Sequence, residues 1–162
     1  MIKIRSIRVL DNSFKALVIK YPDDLRFTDS NLVEKFRKNE VEKWSNVFEQ
    51  EVTIDIDYLE IPQSVNALSV CKHTADEMGL TLRGIFGKTK QGNVVKAKMF
   101  AVNIMLDVGI PVTHIEEQTP YKNRIYYYYQ TTLSGLRDTD AKIDAEYKDI
   151  FDRVMTKIKN NE

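Results

Sequence analysis

The hydrophobic period of this chain changes at Pro62, and that change constrains the fold more than any other feature. Before it, Val52, Ile54, Ile56 and Tyr58 alternate with Thr53, Asp55 and Asp57, the period-two pattern of a half-buried strand. After it, apolar residues step by three and four. Val65, Leu68, Cys71, Ala75 and Met78 form one such stripe, and Ile143, Tyr147, Ile150, Phe151, Val154, Met155 and Ile158 form a longer one. A period of two buries one face of a sheet, and a period near 3.6 buries one face of a helix. The chain is therefore expected to be α+β in two parts, residues 1–61 with the strands and residues 62–162 all helical.

The first part reads β-β-α-β. Met1 to Leu10 and Phe14 to Lys20 are β-rich runs separated by Asp11-Asn12-Ser13, which is turn chemistry, so they predict a hairpin. Tyr21 to Thr28 reads as a polar connection. Asp29, Ser30 and Asn31 are N-cap candidates for a helix with Leu32, Phe36, Val41, Trp44 and Phe48 along one face. The alternating run that ends at Tyr58 then closes the module, whose expected role is dimerisation or partner binding.

In the second part, Ser64 is a candidate cap for a helix that stops at Gly79, and Thr81 for one short turn reaching Phe86. Gly87-Lys88-Thr89-Lys90-Gln91-Gly92-Asn93 holds no apolar residue and predicts an exposed loop. A helix over Val94 to Val108 follows, stopped by Gly109, and Pro111 suits the first turn of a shorter helix to about Glu117. Thr119-Pro120 ends that one. Ile125 to Leu133 reads as a further helix in preference to a strand, because its tyrosines do not alternate. Asp138, Thr139 and Asp140 supply caps for the last.

Charge is distributed unevenly. The whole chain has 24 basic and 24 acidic residues among 162, yet Thr81 to Gln130 has seven cations and three anions, a net of +4. A local excess in a neutral chain points to a localised anionic partner. No apolar run approaches the roughly 20 residues that span a bilayer, and Met1 to Leu10 has no signal-peptide core, so a cytoplasmic, non-membrane protein is expected. One cysteine and two histidines allow neither an internal disulfide nor a Cys/His zinc set, and no metal or cofactor is expected.

Gly84-Ile85-Phe86-Gly87-Lys88-Thr89 invites comparison with a phosphate loop, but that loop needs four residues between its glycines and here there are two. No nucleophile and base stand at a supporting spacing, so catalysis is not expected. Cys71 follows its helix's apolar stripe as a core residue, whereas His73 falls on the polar face and reads as solvated. Tyr126 to Tyr129 span more than one helical turn, so at least one ring must point in and one out; core packing is preferred to base stacking for them.

Basic loop, helix, break, short helix, turn and a further helix whose first residues are Tyr121-Lys122-Asn123-Arg124 is the order of a helix-turn-helix, whose second helix presents its N-terminal residues to base edges. Asn pairs with adenine, and Arg or Lys with guanine. From about Val65 to Ile158 the chain resembles the C-terminal DNA-binding domain of the bacterial replication initiator DnaA. The resemblance lies in Val65 to Met78, Leu82-Arg83-Gly84-Ile85-Phe86-Gly87-Lys88, the loop through Asn93, Val94 to Val108, Ile110-Pro111-Val112-Thr113-His114-Ile115, Tyr121 to Leu133, and Leu136-Arg137 onward to Tyr147.

It implies a Trp-repressor-like helix-turn-helix that binds double-stranded DNA in replication or transcription control, here on a stand-alone relative of phage or mobile-element type. The DNA-contacting set would be Arg83, Lys88, Lys90, Lys96, Lys98, Thr113, Tyr121, Lys122, Asn123 and Arg124. Two departures are plain: lysines replace the family's arginine-rich loop, and Tyr121-Lys122 replaces its Asp-His pair, so the family's sequence preference is not carried over. The rival readings are a protein-protein scaffold on the same helices, and single-stranded DNA or RNA binding through the loop and tyrosines.

Overall fold

A computed structural model describes residues 1–13, 16–21, 25–122 and 125–160 and is α+β, with a four-stranded antiparallel sheet and seven helices among the described residues. The chain divides into two compact units, Met1–Ile61 and Pro62–Glu162.

In the first unit β1 (Ile2–Leu10) is the central strand. On one side β2 (Ala16–Lys20) pairs with its second half, Ile7 against Ile19 and Val9 against Leu17. On the other side lies β4 (Thr53–Glu60), with Ile7 opposite Ile56 and Val9 opposite Ile54. The expected polar connection contains a strand that its composition concealed, β3 (Arg26–Phe27), which pairs with Ile2 and Lys3 and sets Phe27 against Phe36. A register shift between Ile4 and Ser6 keeps Ile4, Ile7 and Val9 all on the buried face despite their odd spacing.

That face packs against α1 (Ser30–Phe48) through Val33, Phe36, Val41 and Trp44. Asp29 is the cap, its carboxylate accepting from the Asn31 and Leu32 amides at 2.9 and 3.1 Å. Leu32, expected on the inner face, is exposed, and Val33 takes the core position instead.

The second unit is built around α4 (Gly92–Asp107), buried over nearly its whole circumference: Phe100, Ala101, Val102, Ile104 and Met105 are all fully enclosed. A helix that is apolar all round needs neighbours on every side. These are α2 (Ala67–Glu77), α6 (Ile125–Thr139) and α7 (Ala141–Asn160), with the short α3 (Leu82–Phe86) across one end and α5 (Val112–Gln118) against α2.

The α2 cap is Asn66, in a reciprocal capping box with Ser69; Ser64 instead donates its hydroxyl to the Ile158 carbonyl at 3.1 Å. Gly79 and Gly109 end α2 and α4 at φ of 67° and 75°, conformations that a side chain would strain. Tyr147 packs edge-on to Phe100 and donates its hydroxyl to Asp107 at 2.7 Å, joining α7 to the central helix. Glu77 accepts from Arg153 at 3.1 Å and Lys157 at 2.6 Å, joining α7 to α2. Helix α6 runs past Leu133 to Thr139, so Asp140 alone caps α7, accepting from the Lys142 amide at 2.9 Å.

Candidate nucleic-acid interface

The ten residues singled out in the sequence separate into three groups. Arg83, Lys88, Lys90, Thr113 and Lys122 are exposed. None of the four cations has an ion-pair partner among the described residues. Lys96, Lys98 and Tyr121 have internal partners. Asn123 and Arg124 lie outside the described residues.

Tyr121 is a correction to its expected place and role: it stands before α6, which begins at Ile125, and not in that helix's first turn. It is 4% exposed and donates its hydroxyl to the Ile85 carbonyl at 2.9 Å, with its ring edge-on to Phe86 at 6.0 Å and to Tyr129 at 6.1 Å. Burial raises its pKa, with Cys71 and Tyr129 adding to the effect, so the phenol stays a neutral donor. A buried Tyr hydroxyl needs a partner, and the last turn of α3 supplies one. The consequence is positional: the residue before Lys122 is pinned by its side chain to α3, the helix that carries Arg83.

Lys98 is the second correction. It is 5% exposed, and its ammonium donates to the carbonyls of Gly87 and, at 3.3 Å, Thr89. Burial lowers its pKa. An enclosed ammonium cannot reach a phosphate, and here it fastens the loop over residues 87–91 onto α4. A sign of this was present in the sequence, since Lys98 shares the helical stripe of Val94, Ala101 and Met105, a core position for a charged residue. Lys96 is half-exposed but paired with Glu146 of α7 at 2.7 Å, so its charge is largely neutralised within the unit.

Asn103 was not singled out, yet it is buried and donates to the carbonyls of Met99 at 2.8 Å and Tyr129 at 3.1 Å, tying α4 to α6. The tyrosine run divides by helical phase: Tyr126 is buried, Tyr129 half-buried, and Tyr127 and Tyr128 are 56% and 62% exposed.

Other chemistry finds less support. His73 is buried, not solvated, because α7 packs on the face that composition alone marked as polar. Cys71 is fully enclosed and its thiol is pushed up to about 12 by burial, which makes it an inert core group at neutral pH. Gly84 and Gly87 belong to the end of α3, and α3 follows a helix where a phosphate loop would follow a strand. Among the described residues no three His, Cys, Asp or Glu side chains are grouped to hold a metal, and no helix is long and apolar enough to cross a membrane.

Comparison of the chain with protein-family models, with curated proteins and with solved structures finds no match.

Proposed function

We propose that residues 62–162 bind double-stranded DNA without catalysis of their own, in replication or transcription control, using a helix-turn-helix made of α5, the connection through Lys122 and α6. The observation that carries this reading is that Arg83, Lys88, Lys90 and Lys122, on α3, the loop after it and the connection into α6, are all exposed with no carboxylate partner among the described residues. The Tyr121 hydroxyl ties the residue before Lys122 to α3, and Lys98 fastens the loop of Lys88 and Lys90 onto α4. Cations left exposed and unpaired in one region of a chain of zero net charge suit a polyanion whose bound counterions they displace. In this reading Lys88 and Lys90 meet phosphates, while Lys122 and the following Asn123 and Arg124 address base edges in the major groove. Unit 1–61 would serve for dimerisation or for a protein partner.

A mobility-shift titration over a salt series tests this. The wild-type chain should bind duplex with a steep loss of affinity as salt rises. Lys88→Glu with Lys90→Glu should weaken binding and lower the log–log salt slope by about 2. Unchanged binding by the double variant would sink the assignment.

A second reading has one observation of its own. Tyr127 and Tyr128 remain more than half exposed and could stack on unpaired bases. It requires single strands to compete better than duplex, and Tyr127→Ala with Tyr128→Ala to remove that preference.

A further inference from the structure

Lys98 sends its ammonium to two carbonyls of the same loop, those of Gly87 and Thr89, from a position inside the helical unit. No described peptide bond is cis. In a trans peptide the C=O and the next residue's N–H point in opposite directions across one rigid plane. When the Gly87 carbonyl turns in to Lys98, the Lys88 amide must turn away from it. The Thr89 carbonyl and the Lys90 amide are related in the same way.

Neither amide has an acceptor among the described residues, whereas the next one along, Gln91, is satisfied by the Thr89 hydroxyl at 3.3 Å. The loop therefore offers two unsatisfied backbone donors, each on a residue that also carries an exposed ammonium. Two residues apart, they are separated by no more than about 7 Å. Because both carbonyls converge on one nitrogen, the two amides diverge, so they fit two linked phosphates better than a single ion.

We infer that Lys98 is a positioning residue that turns the loop into a paired phosphate grip, in which the backbone amides and side chains of Lys88 and Lys90 hold consecutive phosphates of one nucleic-acid strand. This rests on the DNA-binding reading and adds what the loop holds and what shapes it. Lys98 acts through the loop and touches no phosphate itself. Substituting Lys88 or Lys90 alone leaves the amide donors in place, while substituting Lys98 removes their orientation without touching an exposed charge.

The test uses the full chain labelled with nitrogen-15 and titrated with a mixed-sequence duplex at low salt. The amide protons of Lys88 and Lys90 should move downfield, the Lys122 amide, already bonded to the Pro120 carbonyl at 3.1 Å, should shift in either direction, and inorganic phosphate at matched phosphate concentration should move neither loop amide. In Lys98→Met the loop amides should no longer respond while Lys122 still does, duplex affinity should fall about tenfold, and relaxation should show faster motion confined to residues 87–90. Duplex binding that shifts Lys122 and leaves Lys88 and Lys90 unmoved in the wild type would overturn the grip and leave the DNA reading standing. No response anywhere in the chain would overturn both. An equal response to inorganic phosphate would overturn the pairing of phosphates, and loop amides that still respond in Lys98→Met would overturn the role of Lys98. The wild-type titration decides the grip even if the variant does not fold.

Discussion

Lys96 and Lys98, on the first turns of α4, and Lys88 and Lys90, on the loop just before them, are four lysines within eleven residues that meet opposite fates. The first two face helices or loop backbone and are satisfied internally, one by Glu146 and one by two carbonyls. The second two face solvent with no partner among the described residues. Charge count treats all four alike. What separates them is whether a neighbouring element lies within reach of the ammonium, and only the folded unit decides that. The internal pair sets the shape of the surface, and the external pair leaves its charge available to a ligand.

The largest effect expected from breaking this division is at Tyr121. Tyr121→Ala should cost the helical unit about 3–5 kcal/mol through the lost ring packing, whereas Tyr121→Phe should cost about 1 kcal/mol for the unmade bond to Ile85; chemical denaturation separates the two. Reversal of Lys88 and Lys90 comes next, with duplex affinity down by a factor on the order of 100 and the denaturation midpoint unchanged.

Glu77 gives a smaller effect with a defined pH dependence. The hydrogen bond from Lys157, helped by the charges of Lys157, Arg153 and His73, outweighs burial and holds its carboxyl below the ordinary glutamate value. A carboxyl that is more acidic folded than unfolded stabilises fully above the unfolded value, and that contribution is lost as pH falls through the folded one. Glu77→Gln should therefore cost about 1–2 kcal/mol near neutrality and flatten the acid side of the stability–pH curve. Smallest of all, Lys96→Met should change stability by no more than about 0.5 kcal/mol, as for other exposed pairs, and reduce DNA affinity far less than Lys88→Met. An equal loss in the two would remove the distinction between internal and external lysines.

Much of the architecture was legible because it is local. The alternation from Val52 to Tyr58, the stripe from Ile143 to Ile158 and the stops at Gly79 and Gly109 each express a backbone preference within one element. Strand β3 was not legible, since two residues carry no periodicity and its pairing is with the chain's first strand. The cap at Asn66 in place of Ser64 turns on a reciprocal bond with Ser69 that competes with a distant acceptor at Ile158. At the candidate interface, the excess of cations was plain from composition. Their separation into available and engaged groups was not, because Tyr121 meets Ile85 and Lys96 meets Glu146 across 36 and 50 residues.

The bond between Tyr121 and Ile85 also orders events in time. Contacts between residues distant in sequence wait for the intervening chain to be ordered, because the entropy of closing the loop must be overcome first. All of α4 and α5 lies between these two residues, and α4 gains its cover from α6 and α7 only later in the chain. The exposed cations thus become a defined surface late in folding. A partly folded or still-emerging chain carries the same charges without their arrangement, and the shaped surface is a property of the completed unit alone.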